Sequence, residues 1–183
     1  MIEIIITNEM IVSAKLKSDS VKFDSGKKSN RFGFEKNRTF VGYLGEQMVM
    51  QHLKTSVDID DYEYDLIYND IKIEVKTISC KFKPRLDYFC TVNSCNDIGV
   101  RKQSADYYIF TRILNDYSIG WILGYMKCDD FFKRGKYIEK GSEPINGLTF
   151  EKGNATVMPI SELHLMKGDN ALWVKDYEMA EKG

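Results

Sequence analysis

The sequence predicts an α/β fold in which helices flank a mixed β-sheet. Apolar residues at helical spacing over 39–54 predict a long helix, and two strand-like segments meet at Asn69 and Asp70. The third observation is a strongly β-prone segment over 107–114. The predicted order of the core is helix, three strands, helix and strand. With 183 residues, of which 43% are hydrophobic, the chain is long enough to form one domain over its whole length.

The first 37 residues are predicted to form a hairpin followed by a basic loop. Isoleucines alternate with other residues over 2–6, and segment 10–16 is also strand-like. Segment 18–33 is rich in Ser, Lys, Gly and Asp, a composition typical of a loop. Basic residues outnumber acids between positions 15 and 38, so this region is either a phosphate-binding surface or an ordinary solvated loop.

The predicted helix 39–54 carries an apolar stripe suited to packing on a sheet. Apolar residues recur at four-residue intervals over 40–48, which places them on one face. Gly42 and Gly45 interrupt this helix, and each costs about 1 kcal/mol relative to Ala. Their presence predicts that another backbone packs closely against the helix.

Segments 62–68 and 71–77 are predicted to pair as a hairpin. Asn69 and Asp70 between them tolerate positive φ, which a two-residue hairpin turn requires. Apolar residues then share one face, and a slip of one residue would bury the charged ones, so the register is well determined. The predicted pairs are Tyr68 with Ile71, Leu66 with Ile73, Asp65 with Glu74, and Glu63 with Lys76.

The opposed carboxylates of Asp65 and Glu74 are the main functional feature of this hairpin. Opposed Cβ atoms lie about 4.5–5.5 Å apart, so two ionised carboxylates repel each other unless a cation lies between them. Mg²⁺ or Mn²⁺ suits such oxygen ligands, and the carbonyl of Val75 could add another. Lys76 shares the face and can orient a water or stabilise negative charge. The alternative is a solvated face on which Lys72 and Lys76 neutralise the acids.

The remaining segments complete the sheet and add a C-terminal extension over 115–183. In chain order we predict a third strand over 87–92, a short helix over 96–104, strands over 107–114 and 121–126, and a helix from 129 to 133. This succession is typical of a sheet with helices on both sides.

Three short motifs lie in the predicted helix and hairpin. They are Gly42-Tyr43-Leu44-Gly45-Glu46, Tyr64-Asp65 and Glu74-Val75-Lys76-Thr77. Together they resemble the PD-(D/E)XK nuclease superfamily, in particular its small phage-type members, over residues 38–113. The resemblance implies a restriction-endonuclease-like core in α-β-β-β-α-β order, and it adds Glu46 to the metal ligands Asp65, Glu74 and Val75. It also implies catalysis by Asp65, Glu74 and Lys76. Tyr64 stands where the name-giving Pro of the superfamily would be.

Gln103, with Tyr107 four residues later, resembles the Gln-x-x-x-Tyr motif of RecB-like members. The resemblance implies that Gln103 assists catalysis by contacting DNA or substrate phosphate, whereas the alternative is that Tyr107 simply begins a strand. Basic residues expected to contact nucleic-acid phosphates are Lys27, Lys28, Arg31, Lys81, Lys83, Arg101 and Lys102. Each of them could equally be a solvated charge.

Other classes of protein are disfavoured by the sequence. The cysteines, Cys80, Cys90, Cys95 and Cys128, form no Cys-x-x-Cys pair, so we expect reduced, mostly buried thiols and no zinc site. No apolar stretch could span a bilayer, and the N-terminus has no basic n-region, so neither a membrane nor a signal peptide is expected. No phosphate-loop motif suggests a nucleotide cofactor. We therefore expect a cytoplasmic protein, in the host cytoplasm if the chain is phage-encoded.

The expected function is that of a Mg²⁺- or Mn²⁺-dependent deoxyribonuclease that hydrolyses phosphodiester bonds. Three alternatives stay open: a structure-specific nuclease resembling Holliday-junction resolvases, a recombination exonuclease, and a non-catalytic nucleic-acid-binding protein of the same fold. DNA is the expected partner, while RNA and a homodimer also stay open. The formal net charge of -1 gives no global field that would indicate nucleic acid.

Overall fold

The chain has a mixed α/β fold. The computed structural model describes residues 1–20, 32–54, 57–58, 64–93, 104–145, 148–150 and 153–166, and within these residues there are three α-helices, a short 3-10 helix (Ile160–Glu162) and two β-sheets. The α-helices are α1 (Asn8–Ser20), α2 (Phe32–Leu53) and α3 (Cys128–Arg134). The strands are β1 (Ile2–Ile5), β2 (Val57–Asp58), β3 (Leu66–Tyr68), β4 (Ile71–Cys80), β5 (Phe89–Asn93), β6 (Tyr107–Leu114), β7 (Ile119–Lys127), β8 (Lys136–Ile138) and β9 (Ala155–Pro159).

The larger sheet has six strands in the order β1-β7-β6-β4-β3-β2. Its two central strands, β4 and β6, run parallel, whereas every other neighbouring pair is antiparallel. The predicted mixed sheet is therefore confirmed. Strand β6 has the predicted bounds, while β7 and α3 each extend slightly beyond the segments predicted for them.

Helix α2 covers one face of the larger sheet. Its buried Leu44 and Met48 share an apolar core with Ile73 of β4, so the predicted apolar stripe does face the sheet. Helix α1 packs on α2 and contributes Ala14, which is fully buried, to the same core. Helix α2 begins earlier than predicted, at Phe32.

The opposite face of the larger sheet is covered by α3 and by a smaller sheet of order β5-β9-β8. Phe110 of β6 and Phe131 of α3 are buried there, with ring centroids 5.0 Å apart. Arg112 of β6 joins the two sheets by donating a hydrogen bond of 2.9 Å to the carbonyl oxygen of Phe89. Because both faces are covered, β6 and β7 are buried almost continuously.

The predicted hairpin is present with its predicted turn and register. Asn69 and Asp70 have φ values of 50° and 66°, as a two-residue turn of this kind requires. The ladder pairs are Tyr68 with Ile71, Ile67 with Lys72, and Leu66 with Ile73. The predicted pairing of Glu63 with Lys76 stays a prediction, because Glu63 lies outside the described part of the chain.

The prediction of a second N-terminal strand over 10–16 is wrong. Strand β1 is present, but it pairs with β7 at the edge of the larger sheet, and the chain then forms α1. The buried residues of this helix are Met10, Ala14 and Ser18, which are four residues apart and so share one helix face. Both ends of the predicted loop 18–33 are helical, and residues 21–31 lie outside the described part.

The predicted third strand does not belong to the larger sheet. It forms β5, which pairs antiparallel with β9 in the smaller sheet, because the strand that lies beside β4 is β6. The sequence pattern predicts neither β8 nor β9. The predicted helix 96–104 falls almost entirely on undescribed residues, and its last residue, Ser104, is not helical.

The expectation of buried thiols holds for two cysteines. Cys80 and Cys90 are buried and Cys128 is half-buried; none of these three forms a disulfide, and Cys95 lies outside the described residues. In the described part of the chain, no helix is both long enough and apolar enough to cross a membrane.

Candidate active site

Three carboxylates from separate elements meet at the end of the β3–β4 hairpin that lies away from its turn. They belong to Glu46 on α2, to Asp65 just before β3, and to Glu74 on β4. Glu46 and Glu74 are only 5% and 7% exposed. The charges of Glu74 and Glu46 act on Asp65, and the charge of Glu74 acts on Glu46, so the three groups lie within electrostatic range of one another.

The backbone of β4 holds Asp65 in place. The N–H of Asp65 donates to the carbonyl oxygen of Ile73 at 2.9 Å, and its Oδ2 accepts a hydrogen bond of 2.7 Å from the N–H of Val75. The regular β3–β4 ladder begins only at Leu66, so the carboxylate of Asp65 stands in for a strand partner of Val75. This arrangement fixes the side chain beside β4, near the position that the register predicts.

The Asp65 carboxyl has a strongly perturbed affinity for protons. Burial, followed by the charges of Glu74 and Glu46, raises its pKa to about 8. The hydrogen bond from Val75 and the charge of Lys76 oppose this rise in pKa. Negative charge is therefore crowded around Asp65.

Gly45 allows α2 to lie close to β4 and β6, and it thereby places Glu46. A Cβ on Gly45 would overlap Oγ1 of Thr77 and would lie 2.8 Å from Oγ1 of Thr111. These two hydroxyl oxygens are hydrogen-bonded to each other at 2.9 Å. Gly45 is thus closely approached, but by the Thr77 and Thr111 side chains and not by the backbone that was predicted. The prediction of a close approach is wrong for Gly42, where a Cβ would meet nothing within 4 Å.

Lys17 on α1 neutralises part of the cluster, although the sequence pattern does not predict this role. Its Nζ lies 3.0 Å from Oε2 of Glu46, 2.7 Å from Oδ1 of Asp58, and 4.5 Å from the centroid of the Tyr43 ring. Burial alone would lower the pKa of Lys17, but the hydrogen bonds and charges of Asp58 and Glu46 outweigh burial and raise it. Since the pattern around Lys17 predicts a strand, nothing in it connects this lysine with Glu46.

Glu46 remains short of positive charge even with Lys17 beside it. Burial raises the pKa of Glu46 to about 7, against the charge and hydrogen bond of Lys17. The negative charges of Asp58 and Glu74 add to that rise in pKa. Two carboxyls of the cluster, those of Glu46 and Asp65, therefore hold protons more tightly than ordinary acids do.

Lys76 lies on the same face of β4 as Glu74 and pairs with it. Its Nζ is 2.6 Å from Oε1 of Glu74 and 5.7 Å from the centroid of the Tyr108 ring. Tyr108 stands opposite Glu74 in the β4–β6 register and is buried, so it forms an aromatic wall beside the ion pair. Burial raises the pKa of the nearby Cys128 thiol to about 12, which leaves it uncharged and a poor nucleophile.

Glu46 and Glu74 are more deeply buried than acids on a solvated, charged strand face would be. Glu46 and Glu74 are both buried, and buried charges are costly unless they are compensated. Lys76 does pair with Glu74, as the solvated-face alternative requires. Lys72 instead has its Nζ 5.0 Å from the centroid of the Tyr64 ring.

The donor chemistry of the cluster fits a hard divalent cation, but in this structure lysines pair with the acids. Carboxylate oxygens are the ligands that Mg²⁺ prefers. Among the described residues, no group of three or more His, Cys, Asp or Glu side chains is arranged so that it could hold a metal ion. Lys17 takes one oxygen of Glu46, Lys76 takes one of Glu74, and Asp65 is turned to a backbone N–H. Metal binding therefore requires these contacts to rearrange.

The structure describes two of the lysines that are predicted to contact phosphate, and both lie away from the carboxylates. Lys81 and Lys83 follow β4 and are exposed, and Nζ of Lys83 lies 3.4 Å from Oε2 of Glu3. At about 3.3 Å per residue, Lys81 is up to about 23 Å along the strand direction from Glu74. The other predicted contacts lie outside the described residues: Lys27, Lys28, Arg31, Arg101 and Lys102.

Gln103 also lies outside the described residues, so its role stays a prediction. Its motif partner Tyr107 is the first residue of β6 and is buried, with its ring centroid 6.0 Å from that of Tyr125. Tyr107 therefore begins a strand and belongs to the core, which is the alternative that the spacing left open.

Comparison of the chain with family models, with curated proteins and with solved structures finds no match. The functional assignment therefore depends on the residues of the site and on their geometry.

Proposed function

We propose that the chain is a Mg²⁺- or Mn²⁺-dependent nuclease of the PD-(D/E)XK type that hydrolyses phosphodiester bonds of DNA. The observation that carries this proposal is the convergence of Glu46, Asp65 and Glu74 with Lys76 at one end of the hairpin. The helix before the hairpin supplies one acid, and the hairpin supplies the other two and the lysine. The same residue types at the same places carry the resemblance to that superfamily.

The electrostatics of the cluster support a site that binds a cation. Burying an ionised carboxylate is unfavourable unless a positive charge compensates for it. The pKa of Asp65 is raised to about 8 by burial and by its acidic neighbours, which indicates that compensation is incomplete. Strongly perturbed carboxyls in one place are typical of catalytic and metal sites.

Each residue of the cluster has a distinct proposed role. Glu46, Asp65 and Glu74 would hold the cation through carboxylate oxygens, and the carbonyl of Val75 is the further predicted ligand. When bound, a divalent cation supplies an activated water and neutralises charge at the phosphate. Lys76, whose Nζ reaches Oε1 of Glu74, would donate hydrogen bonds to the attacking water or to a phosphate oxygen.

The order of elements supports a restriction-endonuclease-like core in which one strand is reassigned. Helix α2 is followed by β2, β3 and β4. Strand β3 pairs antiparallel with both β2 and β4, and the later strand β6 is parallel to β4. This order matches the expected α-β-β-β-α-β succession if β2 replaces segment 87–92 as one of the three strands. The predicted second helix, 96–104, falls almost entirely outside the described residues.

The ion pairs between lysines and the acids of the cluster favour one alternative, a non-catalytic nucleic-acid-binding protein of the same fold. In such a protein, Lys17 and Lys76 would neutralise Glu46 and Glu74 permanently, and no metal would be needed. A resolvase-like nuclease or a recombination exonuclease would share the proposed chemistry and would differ in the DNA that it accepts.

The proposal is tested by incubating the chain with linear, circular, single-stranded and branched DNA, in Mg²⁺, Mn²⁺ or EDTA. We expect cleavage with either cation and none in EDTA. Internal cutting of a plasmid would indicate an endonuclease, loss of linear ends alone an exonuclease, and selective cutting of branched DNA a resolvase-like enzyme. Binding of DNA without cleavage under any of these conditions would contradict the proposal and favour the non-catalytic alternative.

A further inference from the structure

The ammonium group of Lys17 occupies a place in the carboxylate cluster that a cation would be expected to take. It bridges Glu46 and Asp58 at 3.0 and 2.7 Å, and the ring of Tyr43 lies on another side of it. The Lys17 side chain is only 16% exposed, so this contact is more than a loose surface ion pair.

We propose that Lys17 is a built-in counter-ion that competes with the divalent cation for Glu46. This inference rests on the proposed function, because it takes Glu46 to be a ligand of the metal. Lys17 belongs to α1, which lies outside the helix and hairpin that carry the other groups of the cluster. Helix α1 therefore sets how readily a metal gains access to Glu46.

The two acceptors of Lys17 are not equivalent, and this difference provides a route for exchange. Glu46 is buried, whereas the Asp58 side chain is 33% exposed and makes the shorter contact with Nζ. When a divalent cation takes the carboxylate of Glu46, Lys17 can stay paired with Asp58. Asp58 thus holds the lysine near the site while Glu46 changes its partner.

The test is calorimetric titration of Mn²⁺ into the whole chain without nucleic acid. Lys17→Met removes the competing charge and should bind Mn²⁺ about tenfold more tightly, because two nearby cations no longer repel each other. Lys15→Met is the matched control, since Lys15 is an exposed lysine on the same helix. It should bind Mn²⁺ as the wild type does, and Lys17→Arg, which keeps the charge, should not gain affinity.

Asp58→Asn provides a second variant, and its effect in the wild-type background does not depend on the folding of Lys17→Met. Without the Asp58 carboxylate, Lys17 can form an ion pair only with Glu46. It therefore competes more strongly for Glu46, and Mn²⁺ should bind more weakly than to the wild type. In a Lys17→Met background the effect of Asp58→Asn should shrink, because Asp58 acts through the lysine. Equal effects in both backgrounds would overturn the proposed exchange.

The outcomes separate this inference from the proposed function. If Mn²⁺ binds to the wild type and folded Lys17→Met binds it no more tightly, the inference is wrong while the metal site stands. If neither protein binds Mn²⁺, there is no site to compete for, and both the inference and the metal-dependent function are overturned. Cleavage of DNA by the wild type, with tighter Mn²⁺ binding in Lys17→Met, supports both.

Discussion

At the scale of single residues, the balance of charge around Asp65 is the feature with the clearest consequences. Burial and the neighbouring carboxylates of Glu74 and Glu46 raise its pKa to about 8, whereas an aspartate in an unfolded chain titrates near about 3.9. The folded chain therefore keeps a proton on Asp65 over a pH range in which the unfolded chain has released it.

This difference predicts how stability depends on pH without metal. A folded-state pKa above the unfolded one gives stability that is fully present below the unfolded value and is lost as pH rises through the folded value. Each proton held only by the folded chain lowers the free energy of unfolding by about 1.4 kcal/mol per pH unit. Between pH 4 and 8 the wild type should lose stability, and Asp65→Asn, which cannot ionise, should lose less.

Urea unfolding in EDTA at a series of pH values measures this effect. Asp65→Asn keeps an oxygen that can accept the N–H of Val75, so the two proteins should have similar stability near pH 4. Their difference should grow in favour of Asp65→Asn up to about pH 8 and then level off. Parallel stability curves would show that Asp65 is not crowded by like charge.

The part of the candidate site that lies on the hairpin can be predicted from the sequence, because the geometry of a hairpin depends on nearby residues. Asp65, Glu74 and Lys76 lie within one hairpin whose register follows from its apolar face, and Glu46 came from the resemblance. Lys17 and Asp58 could not be reached in this way, because their contact joins α1 to β2 across 41 positions of the chain. Nothing short-range in the sequence records such a contact.

At the scale of elements, the approach of α2 to the sheet depends on Gly45. We predict that Gly45→Ala destabilises the chain by about 1–3 kcal/mol, because the added methyl group overlaps the Thr77 side chain and must displace it. Gly42→Ala is the matched control on the same helix. A Cβ there meets nothing within 4 Å, so the better helix propensity of Ala should stabilise the chain by up to about 1 kcal/mol.

Chemical unfolding of the two variants and the wild type measures both effects. The expected result is a free energy of unfolding that falls for Gly45→Ala and rises or stays level for Gly42→Ala. Equal stability of the two variants would mean that α2 does not approach β4 through Gly45.

The error at α1 has a physical explanation. Apolar residues at every second position, such as Met10, Val12, Ala14 and Leu16, fit the period of a strand. As a helix, the same segment buries Met10, Ala14 and Ser18 and leaves Val12 and Leu16 exposed. The pattern could not show which residues are buried, because packing on α2 decides that.

The smaller sheet was beyond sequence reasoning for a related reason. The pattern over 87–92 correctly indicates a strand, β5, but it carries no information about the partner of that strand. The partner β9 lies more than sixty positions further along the chain, and both pair outside the sheet that holds the site. Strand propensity is local, whereas membership of a sheet depends on distant contacts.

At the scale of the whole molecule, the net charge of -1 conceals an uneven distribution of charge. The segment from Lys15 to Arg38 is basic, and we predict that it contributes to DNA binding. Reversing the charges of Lys27, Lys28 and Arg31 should flatten the salt dependence of DNA affinity, by about 0.9 in log–log slope for each DNA phosphate that the variant no longer neutralises. Fluorescence anisotropy over a range of salt concentrations measures that slope.

A control with the same change of charge separates local binding from net charge. Lys133, Lys136 and Lys140 are exposed lysines near the smaller sheet, and reversing them should leave the slope unchanged. An equal reduction of the slope in both triple variants would show that only the total charge matters.

The most direct test of the proposed site is the rate at which four proteins cleave, in Mg²⁺, the form of DNA that the wild type cuts. They are the wild type, Glu74→Gln, Lys76→Ala and the control Lys72→Ala, whose lysine lies on the same face of β4 but over the Tyr64 ring. Circular dichroism establishes that each variant is folded. Glu74→Gln and Lys76→Ala should each lose at least about a hundredfold in rate, as expected for groups that stabilise the transition state, while Lys72→Ala retains most of it. If folded Glu74→Gln and Lys76→Ala cut DNA as fast as the wild type, the active site lies elsewhere in the chain.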